Sequence, residues 1–141
     1  TGGHTRWSIH STWRDSDLML RLHRGEPFML MSVPDADARG IKDHDWIRVY
    51  NDVGSFFTRA KISPALRPGQ SLIYHAWEDY QFPGAGNMRH VTPTPMNPVE
   101  LAADHPHLRP MFAGGQTSFF DRDTRIEIEH VSEAEVQQAL A

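Results

Sequence analysis

The residues best equipped for chemistry in this chain are its histidines. Nine of them stand against fourteen Lys and Arg, and there is no cysteine. A neutral imidazole donates a hydrogen bond at one ring nitrogen and accepts at the other, titrates near neutrality and can ligate a metal. His4 and His10 lie in a polar opening stretch that also holds Arg6, Trp7, Ser11 and Thr12. Their spacing of six does not fall on one helix face, so a loop or strand must present both. His75 shares a strand face with Ile73 and Trp77, and Glu78 follows. His90 and Asn97 sit in a stretch rich in Pro and Gly. For each, a plainer role stands beside the chemical one: a satisfied core histidine, a packing tryptophan, a turn cap, a solvated guanidinium.

Several chemistries are excluded or unsupported. Without cysteine there are no disulfides, no cysteine-ligated iron–sulfur cluster and no thiol nucleophile in this chain. His105-Pro106-His107 has no carboxylate or cysteine at a recognised metal spacing, so no dedicated zinc or copper site is expected. Asp35, Asp37, Asp43 and Asp45 lack the Gly and closing Glu of a calcium loop and read as a solvated face. A net charge of -4 argues against a general nucleic-acid surface, and an anionic ligand would need a local site.

The elements that must position these residues fit one domain of 141 residues. No apolar run approaches the roughly 20 residues of a membrane helix, so no membrane insertion is expected. The start lacks both a signal-peptide pattern and an initiator Met, and reads as part of a longer protein. A short strand is predicted near residues 7–9, and a helix over 18–22, capped by Ser16 or Asp17 and stopped by Gly25-Glu26-Pro27. Residues 28–33 form a buried strand. Residues 34–39 form a helical turn or two, ended by Gly40. Strands follow over 46–50, 56–62 and 71–76, separated by turns at Asn51-Asp52-Val53-Gly54 and Pro68-Gly69. Residues 81–107 hold five prolines and two glycines, which break this pattern into a long loop of a kind that is usually functional or disordered. Residues 124–129 alternate as a closing strand, and Ser132 with Glu135 forms a capping box for a last helix. Together these predict a mainly β fold, a small barrel with short helices.

The run from Ser32 through Asp35, Gly40-Ile41, Asp45 and Trp46 to Asn51 and Gly54, with Pro68-Gly69 beyond, resembles the molybdopterin dinucleotide-binding domain of the dimethyl sulfoxide reductase family. His44 stands where that family usually has Gly. His4-Thr5-Arg6-Trp7-Ser8-Ile9-His10-Ser11-Thr12 is similar to the start of this domain in respiratory nitrate reductase, ethylbenzene, dimethyl sulfide and selenate enzymes. The likeness continues through Asp15, Leu18-Met19-Leu20, Arg24-Gly25, Pro27 and Tyr74-His75-Ala76-Trp77-Glu78.

The resemblance implies a double-psi β barrel, the C-terminal domain of a catalytic subunit, with a Pro-rich extension over 81–110. It implies molybdenum held by two molybdopterin guanine dinucleotides, with the protein ligand to the metal and any iron–sulfur cluster outside this chain. His4 and His10 would face a pterin, with Arg6, Trp7, Ser11 and Thr12 beside it. His75, Trp77, Glu78, His90 and Asn97 would complete the contacts, and no residue here would be catalytic. Expected partners are the other domains of the parent subunit and an iron–sulfur electron-transfer subunit. Thr92-Pro93-Thr94-Pro95 with Asn97-Pro98 resembles the exported branch, so a periplasmic location is favoured over a cytoplasmic membrane-associated one. The domain alone would be inactive. Two alternatives are a non-catalytic adaptor module on the same barrel and a decarboxylase matured by cleavage at Gly54-Ser55. That dipeptide lies in a hairpin turn, where both residues are expected anyway.

Overall fold

The computed structural model describes residues 2–3, 16–75, 77–92 and 124–141. These residues form six strands: β1 (Gly2–Gly3), β2 (Phe28–Ser32), β3 (Trp46–Tyr50), β4 (Ser55–Ser63), β5 (Ser71–Tyr74) and β6 (Glu127–His130). They join in one mixed sheet of order β1-β5-β2-β4-β3-β6. β1/β5 and β2/β4 run parallel, and the other neighbours run antiparallel. The mainly β architecture with short helices is the one the sequence predicts. Among the described residues the sheet ends at β1 and β6. No helix among them is long and apolar enough to cross a membrane.

Alternation of side chains decides which face of the sheet is core. On β4, Phe56, Thr58 and Ala60 are buried. Ile47 and Val49 of β3 face them in the register Ile47↔Thr58 and Val49↔Phe56. Met29 pairs with both Ala60 and Ile73 on the same face. The one polar side chain in this row, Thr58, donates to the Pro27 carbonyl at 3.0 Å, so its hydroxyl is not buried unpaired. The opposite face carries Arg59, whose guanidinium lies 3.7 Å over the Trp46 ring. Trp46 Nε1 in turn donates to Glu133, which ties the final helix to β3.

Helix α1 (Asp17–Met19) passes directly into a π turn at Leu20–Arg24. The Gly25 amide closes that turn on the Leu20 carbonyl at 2.8 Å. Gly25 ends it with φ +62° and ψ -129°, a positive-φ conformation that glycine adopts without a Cβ penalty. Helix α2 (Val33–Arg39) begins one residue earlier than predicted, because the buried Ser32 accepts from the Asp35 amide and so caps it. Helix α3 (Glu133–Ala139) has the predicted capping box: Glu135 N–H donates to Ser132 Oγ, and Ser132 N–H donates to the Glu135 carboxylate. His44 has φ +67°. A left-handed position explains why glycine would be usual there, and histidine tolerates it better than most side chains.

Asp37 is exposed, as the solvated-face reading expects, but the other three aspartates also hold backbone. Asp35 accepts from Ser32 Oγ at 2.6 Å and from the Gly69 amide at 2.7 Å. Asp43 accepts from the Ile62 amide at 2.8 Å, and Asp45 from the Lys42 amide at 2.7 Å. These carboxylates satisfy amides in the turns at Lys42 and Gly69 and at the end of β4.

The segment after β5 is packed as far as the structure describes it. Trp77, Phe82 and Val91 are buried in the core, and Phe82 meets Phe56 edge-on with ring centroids 6.0 Å apart. Three 3-10 turns carry the chain: Asp79–Gln81, Pro83–Ala85 and Met88–His90. The Asp79 carboxylate accepts from both Asn87 and Arg89, joining the first turn to the third.

Two outcomes follow from this packing. Trp77→Ala should destabilise the fold by about 3–5 kcal/mol, as for other buried aromatics, measured by denaturant unfolding. The Ser32 hydroxyl first, and then the Gly69 amide, hold the Asp35 carboxyl below its ordinary 3.8 against an upward push from burial, and Arg39 adds the smallest contribution, also downward. A carboxyl depressed on folding stabilises above its unfolded pKa and loses that contribution as pH falls through the folded value. Asp35→Ala should therefore cost about 1–2 kcal/mol at neutral pH. The gap from wild type should close as pH drops below 3.8 in paired unfolding curves.

Candidate functional site

The site begins with the direction of two strands. Gly2↔Ile73 and Gly3↔Tyr74 pair in parallel, so β1 and β5 leave the sheet at the same end. His75 is the first residue beyond β5 there. Gly3 is the last residue of β1 and directly precedes His4 in the chain. His4, Arg6, Trp7, His10, Ser11, Thr12 and Asn97 lie outside the described residues, as does the strand expected near residues 7–9.

Ser71, Ile73 and His75 occupy alternate positions and line one cavity of about 230 Å³. Met29 and Phe56 supply apolar wall from β2 and β4, and Met88, Arg89, Val91 and Thr92 enter from the third 3-10 turn. Thr124 and Ile126 line it from the chain leading into β6. An apolar lining thus carries a few polar groups: one imidazole, one guanidinium and three hydroxyls. That composition is typical of ligand sites.

The remaining candidates are placed differently. Trp77 is only 8% exposed and belongs to the core. Glu78 is half-buried and caps the turn Asp79–Gln81: its side chain accepts from the Gln81 amide, and its own amide donates to Gln81 Oε1 at 2.9 Å. His90 is exposed and is not among the residues lining the His75 cavity. Its carbonyl instead lies against Gly54, where an added Cβ would sit 2.6 Å from the oxygen. That close approach gives Gly54 a packing reason of its own, independent of any chain cleavage at Gly54-Ser55. Of the described candidates, then, only His75 lines the cavity.

The sequence marks Asn51 and Gly54 as a turn and as part of the family resemblance, but not as residues that join the cavity walls. Asn51 ends the β3 hairpin arm and uses its whole amide. Its Nδ2 donates to the Val91 carbonyl at 2.7 Å and to the Arg125 carbonyl at 3.1 Å. Its Oδ1 accepts from Val53 N at 2.9 Å and Gly54 N at 3.3 Å. The Asn-x-x-Gly spacing signals a turn, but the two donor bonds reach 40 and 74 residues along the chain, beyond any local pattern. A second, more open cavity of about 450 Å³ lies on the Tyr50–Val53 side, and Thr124 and Ile126 line both.

Among the described residues no group of three or more His, Cys, Asp or Glu could hold a metal ion.

Comparison with known proteins bears on what such a site serves. The family described as the molydopterin dinucleotide binding domain matches residues 1–105. The chain is 38% identical over 131 residues to the respiratory nitrate reductase subunit alpha of Haloferax mediterranei, covering 89% of this chain and 13% of that protein. It is 44% identical over 105 residues to the dimethylsulfide dehydrogenase subunit alpha of Rhodovulum sulfidophilum, covering 74% and 12%. It is 41% identical over 128 residues to the perchlorate reductase subunit alpha of Dechloromonas aromatica, covering 89% and 14%. The chain thus spans only about an eighth of the length of these relatives. With the family matched across three quarters of the chain, the adaptor-module alternative falls away: the chain belongs to the molydopterin dinucleotide binding domain family, and its role is to bind a molybdopterin cofactor.

Proposed function

We propose that this chain is the C-terminal domain of a molybdenum oxidoreductase catalytic subunit, and that it holds the pterins of a molybdopterin guanine dinucleotide. The observation that carries the reading is the parallel pairing of β1 with β5. It makes the histidine-bearing segment after Gly3 and the segment opening with His75 leave the sheet at one end, as a shared ligand requires.

The donor set fits a pterin. A flat heterocycle rich in donors and acceptors is held by hydrogen bonds of fixed direction over apolar surface. His75, with the side chains of Ser71, Thr92 and Thr124, brings such groups around Met29, Ile73 and Ile126, the Thr92 hydroxyl as an acceptor since its proton goes to the Met88 carbonyl at 2.8 Å. At about 230 Å³ the cavity can take one ring system and not a whole dinucleotide. The rest of the cofactor must lie against other surfaces, with His4, His10 and the parent's other domains as the assigned contacts. His75 would orient a ring edge, and the apolar lining would keep water from it. His4 and His10 would hold pterin nitrogens, Ser11 and Thr12 would supply hydroxyls, and Arg6 would meet a phosphate oxygen. When bound, the molybdenum centre supplies two-electron oxygen-atom transfer or hydroxylation chemistry. Its protein ligand and any iron–sulfur cluster belong outside this chain.

The whole of residues 1–141 is assigned to this domain, with 81–110 as an extension that contacts neighbouring domains. An iron–sulfur electron-transfer subunit is the expected partner of the parent, in line with relatives whose names designate alpha subunits. A periplasmic location is favoured over a cytoplasmic, membrane-associated one, and the isolated domain would be inactive.

In the full-length subunit, His75→Ala should lower pterin retained through purification by about tenfold, the loss of one hydrogen bond near 1.4 kcal/mol. His10→Ala should shift the molybdenum midpoint potential or reduce activity. Wild-type retention, potential and turnover in both variants would defeat the assignment.

A further inference from the structure

Asn51 sits in a turn, yet its side-chain nitrogen Nδ2 binds nothing of that turn. Both Nδ2 bonds go to carbonyls on two separate segments that line the His75 cavity: Val91, beside Thr92, and Arg125, between Thr124 and Ile126. The same side chain's oxygen is used up by the Val53 and Gly54 amides. An asparagine amide has two donors and one carbonyl acceptor with two lone pairs, so every capacity is filled. A second contact holds the same turn to the same wall. Gly54 approaches the His90 carbonyl so closely that no Cβ fits between them. The turn also stays rigid on its other side, where the Asn51 amide donates to the Gly54 carbonyl at 3.0 Å.

We infer that Asn51 is a positioning residue for the cofactor site, and that it sets the separation of the cavity walls carrying Thr92 and Thr124. This rests on the cofactor reading of the His75 cavity. The walls come from segments that no strand pairing joins to each other. Thr92 follows the last 3-10 turn, and Thr124 precedes β6, whose only paired neighbour among the described residues is β3. One amide nitrogen holds both carbonyls within hydrogen-bond reach of a single point. Hydroxyls attached one residue away are thereby kept at a fixed span, as a rigid ring requires of its hydrogen-bond partners, with Thr92 serving as an acceptor because its own proton goes to the Met88 carbonyl at 2.8 Å. The chemistry needs an uncharged amide. A carboxylate at this position keeps the acceptor for Val53 and Gly54 but offers no donor to the two carbonyls, and it places negative charge against them.

Asn51→Asp therefore separates the turn from the clamp. In the full-length subunit, hydrogen exchange should be followed at the amides of residues 88–92 and 124–127, with β3 and β4 as the internal reference. Loss of the two donor bonds should speed exchange in both wall segments by about tenfold while β3 and β4 stay protected. The molybdenum midpoint potential should shift in the same variant, a readout that a merely structural clamp would leave alone. Gly54→Ala should loosen residues 88–92 alone, which guards against an Asn51 variant that fails to fold. Wild-type protein must itself protect both wall segments, and rapid exchange there would overturn the inference outright. Unchanged exchange in Asn51→Asp would overturn the clamp, and faster exchange with an unchanged potential would overturn its role at the site. Wild-type protein without bound pterin would instead sink the cofactor reading, whatever the exchange shows.

Discussion

Strand β4 has to satisfy two neighbours at once. Its residues 59–63 pair in parallel with β2 on one side, and its residues 55–59 pair antiparallel with β3 on the other, with Arg59 common to both. A slip of one residue would turn Phe56, Thr58 and Ala60 outward and bring Arg59 into the core. The register is therefore fixed by burial, and the cavity inherits it. Phe56 is part of the cavity wall itself, and Met29 is placed by β2. β5 is registered on β2, which sets Ile73 and, beyond it, His75. β3 fixes β6 and the Asn51 turn, which in turn hold the remaining wall.

Polar groups in this domain are spent on joining segments that the sheet does not join. Asp35 connects α2 to the turn at Gly69, and Asp43 connects the turn before β3 to the end of β4. Asp79 gathers the 3-10 turns, and Asn51 gathers both walls of the cavity. Most of these bonds run from a side chain to backbone, so they satisfy groups that would otherwise be left unpaired at the edges of the core. Such an arrangement leaves the lining of the His75 cavity mostly apolar, with few polar side chains to orient a ligand. A domain that only binds and tunes a cofactor needs that much and no catalytic group of its own.

What could be read from the sequence was whatever repeats with the period of a strand or follows a local capping rule. Ile47 and Val49, the alternation through β4, and the Ser132–Glu135 box all have that character. β1 does not: two glycines give no side-chain alternation and disfavour strands, so only the pairing partner reveals them. The π turn at Leu20–Arg24 has the same composition as an α-helical turn. The aspartates looked solvated because their donors lie up to 34 residues away. At the site, the face of His75 was legible from strand parity, while the core position of Trp77 and the capping of Glu78 depend on how the chain folds back after β5. The clamp by Asn51 was invisible for the reason the aspartates were: it is a long-range bond made by a residue whose local context already explains it.

The central claim is that this domain holds a guanine dinucleotide form of molybdopterin in a larger oxidoreductase. Its most direct test is metal and nucleotide analysis of the full-length parent, purified natively from cells that make the cofactor. The account predicts molybdenum together with released guanine nucleotide. A stable, folded parent containing neither would contradict it.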